Sequence, residues 1–218
     1  MNLIQKGLSR DRAILRGLED YRALELPQIQ LLHFNQGFKS ADVAKRKAQD
    51  RTSVLYKEGR VKRWRGDGPY CYALDKKPGR AEHLVALNWV RIWLQKSMTK
   101  WEKLHCFDYE PDYGFMRPDA FCAIKNFVSG QFRLYFIELD RSPRNEFDKV
   151  ALYNKLFKTE DYSDRWWVDV APEEKFPPVM VVTVDRREQI LKVIDRDNGE
   201  DIRFDVRLLG DIKKECLK

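Results

Sequence analysis

A chain of 218 residues has room for one domain or two small ones, and 43% hydrophobic residues with six tryptophans can build a packed core, which excludes a disordered tail. Lysine and arginine total 41 against 34 acidic residues, and the net charge of +7 favours an anionic partner, nucleic acid first. Cys71, Cys106, Cys122 and Cys216 are scattered without a CxxC pair, so they read as reduced thiols and not as a zinc site or disulfide framework. The opening MNLIQKGLSRDR lacks the apolar core of a signal peptide, and no run approaches the ~18 apolar residues of a membrane span. A soluble, cytoplasmic protein with no membrane partner is expected.

In chain order, Ile14, Leu15, Leu18 and Tyr21 mark one face of a first helix beginning near Asp11. Leu26-Pro27 opens a short second helix, since proline suits the first turn, and Gly37 breaks it. Ser40 is a good N-cap for a third helix running to about Glu58, with Asp42 in its first turn and Gly59 as the stop. Two short strands around residues 60–65 and 70–74 then flank Gly66-Asp67-Gly68-Pro69 as a hairpin. Three helices and a hairpin follow the order of a winged helix-turn-helix. The third helix carries Lys45, Arg46, Lys47 and Arg51, and the hairpin carries Lys62 and Arg63. These six are the candidate DNA-binding residues, suited to a groove and its neighbouring phosphates, although a solvated charged helix on a protein-binding wing has the same composition.

Residues 76–80 read as a linker between a domain at 1–75 and a second at 81–218, because Pro78-Gly79 punctuates a polar stretch. Beyond it the pattern is α/β. A long helix is expected over 81–98, strands around 103–109, 116–124 and 132–139, and a helix over 147–157. A continuous apolar strand of the kind buried inside a covered sheet follows at 178–184, then a helix at 186–194 and a strand at 202–209.

Asp119 precedes one of these strands, and Glu138 and Asp140 end the next on one face of it. If the hairpin brings Asp119 alongside, three carboxylates converge, and at ~5 Å with an effective dielectric of ~20 each like-charge pair costs ~3 kcal/mol. Such a cluster requires a cation, bound protons or a basic neighbour; otherwise the three are scattered acids at a solvated strand end. Lys149, on the following helix, is either that basic neighbour or an exposed lysine. Tyr153 is a candidate nucleophile for a covalent DNA intermediate or, at helical spacing among Val150, Leu152 and Leu156, a core residue. His33, His83 and His105 have no metal-ligand spacing, and Trp166-Trp167 can stack on unpaired bases or cover a core edge.

The chain resembles the replication-relaxation family of plasmid and mobile-element proteins, related to the MobC class of mobilisation relaxases. The resemblance is carried by Leu24-x4-Ile29, Gly59-Arg60-Val61, His83 within Glu82-His83-Leu84, Pro118-Asp119-Ala120, Glu138-Leu139-Asp140-Arg141, and Lys149 four residues before Tyr153. It implies an N-terminal winged helix followed by a restriction-endonuclease-like mixed-sheet domain, α/β of the α+β kind, acting on double-stranded DNA and on single-stranded DNA near a nick. In the general endonuclease signature an Asp is followed on the next strand by Glu-x-Lys. Here Asp119 and Glu138 match, while Asp140 holds the lysine position, in keeping with the family's own Glu-x-Asp pattern. By that resemblance Asp119, Glu138 and Asp140 would hold Mg²⁺ or Mn²⁺, and Lys149 would complete the catalytic set as a phosphate contact. Nicking in mobilisation or replication is the leading expectation. A non-catalytic DNA-binding regulator or replication accessory protein is the alternative, a protein-interaction module is a third, and a homodimer is compatible with either of the first two.

Overall fold

The computed structural model describes residues 3–35, 37–66, 68–141, 146–171 and 176–218. Asp67, in the expected turn at 66–69, lies outside them. Among the described residues the chain forms seven α-helices and two sheets, a mixed α/β architecture. It divides into two compact units, the first ending at Ile92 and the second beginning at Trp93.

The first unit opens with α1 (Leu3–Tyr21), whose Ile14, Leu18 and Tyr21 are buried. Strand β1 (Leu24–Glu25) leads straight into α2 (Leu26–His33), where Pro27 sits in the first turn and Gln28 Oε1 accepts from the Glu25 N–H at 2.9 Å. Ser40 caps α3 (Ala41–Lys57), its hydroxyl accepting from the Val43 N–H at 3.3 Å, and Gly59 at φ 71° supplies the left-handed residue after the helix. Strands β2 (Lys62–Arg65) and β3 (Tyr70–Ala73) pair antiparallel, and β1 joins the far side of β3 to complete a sheet of order β1-β3-β2. The two-residue β1 is absent from the sequence reading, being too short to show an alternating pattern. One close approach needs a glycine: a Cβ on Gly17 would lie 2.6 Å from the ring of His33, so α1 and α2 meet there without a side chain between them.

Helix α4 (Ala81–Lys96) crosses the boundary between the units. Residues 76–80 therefore lie within the first unit, not at its end. The physical reason is a set of buried hydrogen bonds from the first three turns of α4. Asn88 donates to the carbonyls of Tyr21 (2.9 Å) and Ala23 (2.6 Å), Gln28 donates to the Val85 carbonyl (2.8 Å), and the Trp89 indole donates to Glu25.

The second unit is built on a five-stranded sheet of order β4-β5-β6-β7-β8. Strands β4 (Glu102–Tyr109), β5 (Ala120–Asn126) and β6 (Phe132–Asp140) form an antiparallel meander. At the β5–β6 turn the Asn126 side chain accepts from the N–H groups of Val128 (2.9 Å) and Ser129 (3.1 Å), and Gly130 turns the chain at φ 75°. After α5 (Lys149–Thr159) and a 3-10 turn (Val168–Val170) come β7 (Val179–Thr183), α6 (Arg187–Asp197), β8 (Phe204–Leu208) and α7 (Leu209–Leu217). β7 runs parallel to β6 and β8 parallel to β7, as strands joined by crossover helices must. Phe121, Phe136, Tyr153, Trp167, Val181 and Ile190 belong to the core on one side of this sheet. At the sheet's margins, β4 has a bulge between Leu104 and Cys106, and Arg187 Nε donates to the Val206 carbonyl of β8 at 3.1 Å. No described helix is long and apolar enough to cross a membrane.

Asn88 is wholly buried, and its side chain donates to the carbonyls of Tyr21 and Ala23, the first of which also accepts from the Ala23 N–H at 2.7 Å. Asn88→Ala is expected to cost about 2–3 kcal/mol in urea unfolding, because two buried hydrogen bonds from α4 to the carbonyls at and just after the end of α1 are lost at once. A loss below ~0.5 kcal/mol would put the anchor of α4 elsewhere.

Candidate active site

The end of β6 is where the site forms. Glu138 points into the sheet face covered by α5 and is only 2% exposed. Lys149 and Tyr153 stand one helical turn apart on α5 and reach the same carboxylate. The Tyr153 hydroxyl donates to Glu138 Oε1 at 2.9 Å, and Lys149 Nζ lies 3.2 Å from Glu138 Oε2. Lys149 also donates to the Arg117 carbonyl at 3.3 Å. It is the first residue of its helix, where the macrodipole disfavours a cation, so its position is explained by the carboxylate and not by the helix.

Asp119 enters from the residue before β5. The Glu110 N–H bonds the Asp119 carbonyl at 3.0 Å, which extends the β4–β5 ladder and fixes the backbone there. The Asp119 side chain then accepts from the N–H of Leu139 at 2.8 Å, across the strand from its own position and next to Glu138. Three of the four residues expected to be catalytic, Asp119, Glu138 and Lys149, thus come together.

Asp140 does not join them. It shares the face of Glu138 on β6, but its carboxylate accepts from the Thr183 hydroxyl at 3.2 Å and faces Arg186 Nη1 at 3.7 Å. The Thr183 hydroxyl in turn accepts from the Arg186 N–H at 3.3 Å. β6 and β7 are parallel with Asp140 opposite Thr183, so the neighbouring strand supplies its partners. Among the described residues no three His, Cys, Asp or Glu side chains are grouped to hold a metal ion. The expected convergence of three carboxylates is replaced by a pair, with the third acid engaged by Arg186. Thr183 and Arg186 went unnoticed in the sequence; the signal was a hydroxyl closing an apolar run, followed three residues later by a cation.

Two carboxylates are a number that Mg²⁺ commonly takes from protein, water completing its shell. The donor chemistry of Asp119 and Glu138 fits such an ion, with one condition: both Glu138 oxygens are occupied, so Lys149 must release Oε2 first.

The basic residues of the first unit separate into free and committed ones. Lys45, Arg46 and Lys47 are exposed on α3, Lys47 lying 3.8 Å from Asp50, and Lys62 is exposed on β2. Arg51 is not a free cation. Both ends of its guanidinium bond Asp11, which is buried, and this pairing holds α3 to α1 and raises the arginine's pKa. Arg63 is stacked against Tyr56 (4.2 Å) and Tyr70 (4.4 Å), which orients it along the hairpin.

Other candidates take structural places. Tyr153 is fully buried and its phenol pKa is driven well above the ordinary value, by desolvation first and by Glu138 second. It serves the core and the carboxylate at once. His83 lies beside Arg80 at the start of α4, and burial lowers the pKa of His33. Cys122 and Cys216 are buried, and desolvation pushes the Cys106 thiol up to about 12. Trp167 is buried, whereas Trp166 is 41% exposed. No family model matches this sequence, and no curated protein or solved structure matches it significantly.

Desolvation pushes Glu138 up to about 8, with Lys149 opposing the shift and Asp119 adding to it. The folded protein therefore keeps a proton that the unfolded chain gives up near pH 4.5. Stability on this account is full below that pH and falls as pH rises towards 8. Between pH 5 and 8.5 the wild type should lose on the order of a few kcal/mol relative to Glu138→Gln, read as diverging melting temperatures. Parallel melting curves for the two proteins across that range would mean that Glu138 ionises like an ordinary surface acid.

Proposed function

We propose that the chain is a DNA-binding protein of the nicking class, of the kind that plasmids and mobile elements use in mobilisation or replication. The observation that carries this reading is the contact of Lys149 with Glu138, 3.2 Å apart, beside Asp119 at the end of an antiparallel meander. The three-stranded meander, crossover helix and parallel strand of the second unit are compatible with the restriction-endonuclease-like domain that the family resemblance implies. Support for a winged helix in the first unit comes from its element order, with β1 between α1 and α2 and the β2–β3 hairpin after α3. On this reading α3 presents Lys45, Arg46 and Lys47 to duplex phosphates, with Lys62 and Arg63 on the wing.

In the nicking step, a scissile phosphate approaching Asp119 and Glu138 draws Lys149 from Glu138 Oε2 onto a phosphate oxygen. Where Glu138 is ionised, which its raised pKa favours only as pH approaches about 8, the freed oxygen takes the proton of an attacking water while Tyr153 keeps the other oxygen fixed. The water oxygen bonds to phosphorus, the P–O bond to the departing sugar oxygen breaks, and that oxygen takes a proton from solvent. Mg²⁺ or Mn²⁺, when bound by Asp119 and Glu138, supplies the positive charge that offsets the developing negative charge on the phosphate. A second reading, a DNA-binding regulator without turnover, is favoured by one observation: Asp140 is paired with Arg186 and Thr183 and offers no third ligand.

Supercoiled plasmid with and without millimolar Mg²⁺ separates the two. Nicking that needs the ion and falls at least ~100-fold in Asp119→Asn, Glu138→Gln and Lys149→Met supports the enzyme. Duplex binding with no nicking in either Mg²⁺ or Mn²⁺ supports the regulator. In both cases Arg46→Ala with Lys47→Ala should flatten the log–log salt dependence of duplex binding by up to ~2 units. An unchanged slope would remove α3 from the DNA surface.

A further inference from the structure

One side of the second unit's sheet bears a stripe of rings and lysines that the carboxylate site does not use. Lys103 of β4 and Lys125 of β5 are direct cross-strand partners, so two lysine side chains leave the same face of the sheet from opposed positions. Like charges placed opposite each other destabilise a ladder, and the acid next in sequence, Glu102, is turned to Arg133, with Oε1 2.8 Å from Nε. To one side of the lysine pair, Trp101 and Phe127 meet edge to face at 6.1 Å, joined by the Phe127 N–H to the Trp101 carbonyl at 3.0 Å. Lys100 sits 4.6 Å over the Trp101 ring. To the other side, Lys125 lies 5.1 Å over Phe132, which contacts His105 at 5.2 Å and Trp166 at 5.7 Å.

Large rings are normally hidden, yet Trp101, Phe127 and Trp166 are 47%, 54% and 41% exposed. The order along the strand is aromatic, cationic, aromatic. Rings alone would fit an apolar partner, and lysines alone a solvated edge. Rings interleaved with lysines that form no ion pair among the described residues fit a ligand that alternates flat π-faces with negative charges. A bilayer surface is a poorer fit, because the lysines separate the rings where an interfacial anchor needs one continuous apolar face. A duplex is a poorer fit as well, since its base faces are already stacked.

We infer that this stripe binds a single-stranded nucleic acid. Bases stack on Trp101 and Phe127, phosphates lie across Lys100, Lys103 and Lys125, and the strand continues towards His105 and Trp166. The acids Asp161, Asp164 and Asp169 follow or precede Trp166 in sequence, so the lysine end dominates the attraction. This surface goes beyond the proposed nicking reading. It shares no residue with α3, the wing or the carboxylate pair, and stands or falls without them.

The test is fluorescence anisotropy of a labelled twelve-nucleotide oligothymidylate with the full chain, beside a labelled duplex and beside vesicles of phosphatidylserine and phosphatidylcholine. Trp101→Ala with Phe127→Ala should weaken oligothymidylate binding at least about tenfold and leave duplex affinity within about twofold. Lys103→Glu with Lys125→Glu should weaken it too and flatten its salt slope by about 1.4 units, and this pair carries the test if the aromatic pair melts early. Arg46→Ala with Lys47→Ala should leave the oligothymidylate arm unchanged, so failure of the duplex reading is seen separately. Equal oligothymidylate affinity in wild type and both stripe variants would overturn the inference. So would no oligothymidylate binding by the wild type, or binding to vesicles in its place.

Discussion

A carboxylate buried at the end of a strand constrains everything placed around it. Ionised Glu138 without partners would cost more than a domain can spare, so the fold supplies a phenol, an ammonium and a high proton affinity together. Lys149 and Tyr153 must then stand one turn apart, which fixes the rotation of α5 against the sheet. That rotation also sends Val150 and Leu156 into the same core as Phe136 and Val181. The site is thus continuous with the hydrophobic packing and is not laid upon it. A lysine that contacts a carboxyl oxygen in the resting protein is available to an incoming phosphate only by giving that contact up.

Charge in this protein is not one reservoir. Arg51 fastens α1 to α3, Arg186 holds Asp140, and Arg133 holds Glu102, all three with carboxylates that are largely buried. Removing one member of such a pair strands the other, a penalty well beyond what the pair itself contributes. Lys45, Arg46, Lys62 and Lys103 belong to a different population, exposed and able to meet an anion at little cost to the fold. A count of basic residues merges the two.

Much of the architecture was legible because its signals are local. Pro27, Ser40, Gly59 and Gly130 sit where they end or begin elements, and the run ending in Thr183 reads as a strand from its β-branched residues alone. What escaped has a common cause. β1 exists only because β3 offers it an edge, and Gln28 and Asn88 are structural anchors only because distant carbonyls reach them. α1 begins eight residues before Asp11, and α7 follows β8 without a loop, so neither end carried punctuation. In the site, Asp119 and Glu138 were visible as strand-end acids, and Lys149 as a cation on the next helix. The separation of Asp140 was not, because it depends on which strand lies beside β6 and on the residue that strand presents.

The two outer strands of the larger sheet illustrate a protection that costs no extra residues. A sheet margin with free peptide groups invites another chain to pair with it, and in a cell this is the beginning of clumping. β8 is guarded by Arg187, whose guanidinium takes up the Val206 carbonyl that a visiting strand would seek. β4 is guarded by its bulge after Leu104, which breaks the regular spacing a visitor must match, and by Lys100 and Lys103 along its length. A strand arriving at either margin therefore meets an occupied carbonyl or a broken spacing where a regular ladder would need open peptide groups.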